Sequence, residues 1–128
     1  MDKNFDSWNK VKKELHMEGV VKFYNVREVW WCALGVNVGS EQDGDEKTFE
    51  RPVLIVKGVS KDTCVIVPLT TSKNRHRLRV DVGEIDGKYA KALIAQLRIV
   101  DTRRLSNKVL RLDTNRFQII QKSIKDFL

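Results

Sequence analysis

Apolar side chains recur at two different periods along this chain of 128 residues. Phe5, Trp8, Val11 and Leu15 follow one another at helical spacing, which predicts an amphipathic helix over residues 4–17 with a Lys-rich polar face. Val20–Tyr24 is a short apolar patch of no clear period. Val29–Val38 (VWWCALGVNV) is β-branched and aromatic and reads as a strand. A polar loop follows from Gly39 to Glu50, carrying Asp43, Asp45 and Glu46. Pro52–Gly58 and Thr63–Leu69 read as buried strands joined by the polar turn Val59–Asp62. Lys73–Arg77 is a basic turn, Leu78–Val82 alternates like a half-exposed strand, and Asp86–Gly87 marks the next turn. Over residues 88–100 the Ala and Leu content favours a helix, whereas the end, QLRIVD, alternates with period two. Periodicity leaves that segment open. Asp113 reads as the N-cap of a C-terminal helix with Phe117, Ile120, Ile124 and Leu128 on one face. Short strands between terminal helices suggest a small, mostly antiparallel barrel.

Composition narrows the class. At 41% apolar, with two prolines and seven glycines, the chain can build a core, and its length suits one domain. No run approaches the ~18 apolar residues of a spanning helix, and the N-terminal residues lack the apolar middle of a signal peptide. Cys32 and Cys64 each lie in an apolar strand-like run, as buried reduced thiols of a cytosolic protein would. With only His16 and His76 beside them, a zinc site would need an unusual ligand set. The net charge of +7 is uneven: residues 1–50 carry seven basic and ten acidic side chains, residues 51–128 seventeen and seven. So basic a later part suits a polyanion partner, the alternative being a solvated basic surface.

Four blocks in order are more specific: GSEQ (39–42), RPVLIVKG (51–58), VIVPLTTSK (65–73) and QLRIVDTRRL (96–105). Together with the leading Val29, Trp30 and Trp31, they resemble the MazF/PemK family of toxin endoribonucleases, over about residues 26–128. The resemblance implies a mostly β fold with flanking helices, an SH3-like small barrel with a C-terminal helix. Residues 1–25 would then be an extra N-terminal helical extension. It implies a strand around Ala92–Val100, a homodimer and a cognate antitoxin protein as partner, while the composition above points to a cytoplasmic location with no membrane association. Two departures stand out. Val26, Arg27 and Glu28 occupy the place of the usual Arg-Gly-Asp or Arg-Gly-Glu, and the interval from Glu41 to Arg51 is longer than in compact members.

The activity implied is cleavage of single-stranded RNA with no cofactor or metal. RNA carries its own nucleophile, the 2′-hydroxyl. A protein must align it and stabilise the phosphorane, whose charge builds on the non-bridging oxygens. Guanidinium suits that task because its planar fork matches phosphate oxygens and stays protonated. By the resemblance, Arg51 and Thr70 are the catalytic residues, with Glu41 as a base or a partner for Arg51. Gln96 and Arg98 match the Gln-x-Arg block, as substrate contacts or as a structural pair on the barrel. Thr71 and Ser72 neighbour Thr70, and Lys73, Arg75, His76, Arg77, Arg79, Arg103 and Arg104 are candidates for the phosphate track. Phe49, Trp30 and Trp31 are the aromatics available for base stacking, although alternation buries one tryptophan of the pair. Two other classes fit the same barrel: a non-catalytic RNA- or DNA-binding module and a gyrase-poisoning toxin.

Overall fold

Runs of consecutive apolar residues such as Val53–Ile55 and Ile66–Leu69 are what a strand covered on both faces requires. The computed structural model, which describes residues 22–35 and 50–128, shows that arrangement. The elements are β1 (Glu28–Ala33), β2 (Glu50–Gly58), β3 (Thr63–Thr70), β4 (Arg79–Ile85), β5 (Lys88–Leu93), β6 (Arg98–Asp101), β7 (Leu105–Arg111) and helix α1 (Thr114–Phe127). Among the described residues every pairing is antiparallel. The sheet runs β4-β5-β3-β2-β1-β7, with β6 also on β3, and curls into a half-barrel.

β3 organises the curl. One edge of it pairs with β2. The other edge is divided: Thr63–Ile66 pair with β6, while Leu69 and Thr70 pair with β5. Pro68, which has no N–H to donate, falls in the gap between those two pairings. Side chains alternate into two cores. Val29, Leu54, Val67 and Leu69 meet β4, β5 and the helix residues Phe117 and Ile120 on one face. Trp30, Cys32, Val53, Ile55, Cys64 and Ile66 pack with Val100 and Leu105 on the other.

The segment over 88–100 is neither one helix nor one strand around Ala92–Val100. β5 ends at Leu93, a 3-10 turn spans Ile94–Gln96, and β6 begins at Arg98. The chain has to step from the far half of the β3 edge to its near half, and the turn makes that step. The Ile94 N–H donates to Leu78 O at 2.9 Å, and the Leu97 N–H closes the turn on Ile94 O. Tertiary pairing thus limits the helical preference of these Ala and Leu residues to a single turn. β7 has no counterpart in the sequence reading; it is an edge strand on β1 whose register shifts twice.

Asp113 caps α1, its Oδ1 accepting from the Arg116 N–H at 2.9 Å. Phe117 and Ile120 are buried, but Leu128, expected on the same face, stands at the C-cap and is 83% exposed. Asp86 and Gly87, with φ of 51° and 83°, form the two-residue turn between Ile85 and Lys88. The strand expected to reach Val38 ends at Ala33. The N-terminal helix and the acidic 43–46 run lie outside the described residues. Among the described residues, no helix is long and apolar enough to cross a membrane.

Cys32 and Cys64 are buried free thiols, as expected. Burial pushes the Cys32 thiol up to about 12, against the pull of Arg104, and raises Cys64 to about 11. Glu28 is a buried carboxylate with all its needs met. It accepts from Asn25 N at 2.8 Å and Trp30 Nε1 at 3.1 Å, and Lys108 Nζ lies 3.5 Å away. Burial pushes its carboxyl up, but the hydrogen bonds from Asn25 and Trp30, with Lys108, outweigh that and hold it below the ordinary 4.5. A depressed folded-state pKa contributes stability that is complete above the unfolded value and lost as pH falls through the folded one. Glu28→Gln should therefore cost about 1–3 kcal/mol at pH 7. In urea titrations the gap from wild type should narrow below about pH 4.5; a gap independent of pH would refute the assignment.

Candidate functional site

β2 enters the sheet at Glu50 and carries Arg51 opposite Cys32 of β1. The register that sets Val53 against Pro68 brings Arg51 level with Thr70, the last residue of β3. The Arg51 guanidinium is steered by its own fold, Nη1 donating to Leu69 O at 3.3 Å. Thr70 is buried, and its Oγ1 accepts from the Ser72 N–H at 3.2 Å. That bond uses an oxygen lone pair, so the hydroxyl hydrogen is available to donate elsewhere. Both residues line one cleft of about 300 Å³, together with Trp31, Glu50, Asp86 and Lys88. Alternation divides the tryptophans as expected: Trp30 is buried, whereas Trp31 faces the cleft.

A second cleft of about 670 Å³ adjoins the first, sharing Thr71, Lys88 and Ala90 with it. It lies between the chain leaving β3 and the β4–β5 hairpin, and Ser72, Lys73 and Arg75 line it. The first cleft balances Arg51 and Lys88 against Glu50 and Asp86, and the second, with five cations against Asp81, is the basic surface that leads away from it. His76 and Arg77 belong to the same segment but are exposed and line neither cleft. His76 Nδ1 accepts from the Leu78 N–H at 3.1 Å. A neutral ring bonded that way carries its hydrogen on Nε2 and presents a donor, not a base.

Residues 25–128 match the family described as PemK-like, MazF-like toxin of type II toxin–antitoxin system. The chain belongs to that family. Solved structures agree on the fold. MazF from Deinococcus radiodurans is 15% identical and superposes with a TM-score of 0.67, covering 83% of this chain and 96% of that one. An endoribonuclease from a Mycobacterial species, solved in complex with its cognate antitoxin, is 17% identical (TM-score 0.63; 81% and 93% covered). The Mycobacterium tuberculosis toxin MazF-mt6 is 14% identical (TM-score 0.61; 78% and 94% covered). A comparison with curated proteins finds no match.

In this MazF-like toxin the remaining candidates fall elsewhere. Gln96 sits in the 3-10 turn and Arg98 on β6 opposite Ile66, and neither lines the two clefts. Arg103 is held by Asp101 in a two-pronged bond, Nε to Oδ1 at 3.0 Å and Nη2 to Oδ2 at 2.8 Å. Those bonds hold the Asp101 carboxyl below its usual range. Burial, with Arg98 nearby, lowers the Arg104 guanidinium. Arg79, half-buried, also lines neither cleft. Glu41 and Phe49 lie outside the described residues. The sequence reading missed Glu50, Asp86 and Lys88 as cleft residues. Their signal was positional: Glu50 precedes Arg51 on β2, and the Asp86–Gly87 turn folds β5 back onto β4, so Asp86 and Lys88 stand at the hairpin end that lines the Thr70 cleft.

Proposed function

We propose that this toxin cuts single-stranded RNA by attack of the ribose 2′-hydroxyl, leaving a 2′,3′-cyclic phosphate and a 5′-hydroxyl. The observation that supports it is the meeting of Arg51 and Thr70 in one cleft that opens onto a basic surface. In the reaction the 2′-oxygen bonds to phosphorus, its proton passes to a carboxylate, and the bond from phosphorus to the 5′-oxygen breaks. Arg51 and the Thr70 hydroxyl donate to the non-bridging oxygens, where charge develops. Glu50 and Asp86 place carboxylates within the same cleft to take the proton, and the departing 5′-oxygen takes a proton from the Lys88 ammonium and leaves as the 5′-hydroxyl. Arg51 is held to the β3 backbone, so little rearrangement is needed when charge appears.

The acting species is a cytoplasmic homodimer, silenced by a cognate antitoxin whose acidic segment covers the basic clefts. The antitoxin complex of the Mycobacterial endoribonuclease and the MazE–MazF complex of Deinococcus radiodurans support that pairing by analogy. The test is to incubate the full chain with a long messenger RNA in excess EDTA and to map the product ends. Cutting should persist, and a 2′-deoxy nucleotide at a mapped cut position should abolish it there. A requirement for Mg²⁺, or cutting beside a 2′-deoxy nucleotide, would overturn the mechanism. Salt-dependent binding with no cutting of any RNA would make the protein a binding module.

A further inference from the structure

The larger cleft holds three features that cleavage at Arg51 does not use. Tyr89 is 80% exposed on β5 and lines this cleft. Its neighbours Ala90 and Ala92 point into the core, so Tyr89 and Lys91 share the outer face of the hairpin. Asp81 stands directly opposite Lys91 in the register, on that same face. Lys91 turns away from it, Nζ donating to Asn74 O at 3.4 Å. Arg116 reaches in from α1, its guanidinium so close to Gly83 that a Cβ there would meet Cζ at 3.3 Å. Asp81 is thus a carboxylate in a cleft lined by Lys73, Arg75, Lys88 and Arg116, yet among the described residues it forms no ion pair.

We propose that this cleft is a second nucleotide subsite, in which one base of the RNA stacks on Tyr89 and donates an exocyclic amino hydrogen to Asp81. The inference rests on the RNA-cutting reading above and names what that reading leaves open, how a base is chosen. The cations fit the phosphate track. Asp81 repels phosphate, so within a basic cleft it suits a base edge, and cytosine N4 is the matching donor. An exposed tyrosine ring gives the flat apolar face that unpaired bases stack on. The spacing also suits a strand already held at Thr70. Lys91 pairs with Thr70, and Tyr89 lies two residues further along β5, roughly 7 Å away.

Heptamers of deoxycytidine and of deoxyuridine are suitable probes, because without a 2′-hydroxyl they report binding alone. Fluorescence anisotropy on the full chain should show the cytosine heptamer binding about fivefold tighter or more. Tyr89→Ala should weaken both by about tenfold while Tyr89→Phe keeps wild-type affinity. Asp81→Asn should remove the preference for cytosine. Unchanged binding in Tyr89→Ala, or an unchanged preference in Asp81→Asn, overturns the subsite. RNA cutting by wild type and Arg51→Ala, run in parallel, keeps the two readings apart. Arg51-dependent cutting with Tyr89-independent binding refutes only the subsite. Tyr89-dependent binding without any cutting refutes only the nuclease.

Discussion

Arg51→Ala is expected to slow RNA cleavage by about 10²–10³-fold under single-turnover conditions, the usual cost of removing one donor aimed at developing charge. The argument rests on position as much as on charge. The backbone of Arg51 is fixed by pairing with β1, and its guanidinium already holds Leu69 O one residue before Thr70. A side chain tied down in this way enters the reaction with little freedom left to lose. Arg51→Lys keeps the charge but not the planar fork, so it should recover only part of the rate. The tie to Leu69 O also predicts a small stability cost, on the order of 1 kcal/mol. Melting curves must therefore accompany the kinetics, and a large rate loss with an intact fold is the expected result. Full activity in Arg51→Ala would remove the guanidinium from the chemistry and leave Thr70 and Lys88 to stabilise the phosphorane.

How far this site was legible from sequence depended on whether a residue's place follows from local pattern or from register. Arg51 and Thr70 flank unmistakable apolar runs, so strand ends located them, and the order of the blocks joined them. Asp113 announced its helix because capping is a property of one residue and the next few. β7 left no comparable trace, since only Leu105 of its seven residues is fully buried and its pairing with β1 is irregular. The 88–101 segment misled for another reason. Its Ala and Leu content describes what the chain would do alone, while the split edge of β3 dictates two strands and a turn. Gln96 and Arg98 were legible as a block, while their placement came only with register: β6 sets Arg98 against Ile66, and neither residue lines the two clefts. Tyr89 and Asp81 were invisible together because neither opposes the other: the register, shifted between Asp81 and Gly83, sets Tyr89 against Glu84 and Asp81 against Lys91, and only the cleft brings them to one place.

Phe117→Ala should separate the fold from the site. Phe117 is 4% exposed and packs with Ile120, Val82 and Ala90 beneath the β4–β5 hairpin. Removing a buried aromatic ring leaves a cavity that the sheet can only partly close, at a cost of about 3–5 kcal/mol. For a chain of this length that corresponds to a melting temperature lower by roughly 10–20 °C. The cleavage centre should be spared at 25 °C, because Arg51 and Thr70 are held by β1, β2, β3 and β5, and Asp86 and Lys88 by the Ile85–Lys88 pairing that closes the hairpin turn, not by α1. Arg116 is the exception: it is next to Phe117 in the chain and lies against Gly83 in the larger cleft. The variant should therefore keep its rate at saturating RNA and lose affinity severalfold, as the helix end loosens over the hairpin. A fall in the saturated rate, with circular dichroism unchanged, would mean instead that α1 sets the shape of the Arg51 cleft through Ala90, which lines both clefts.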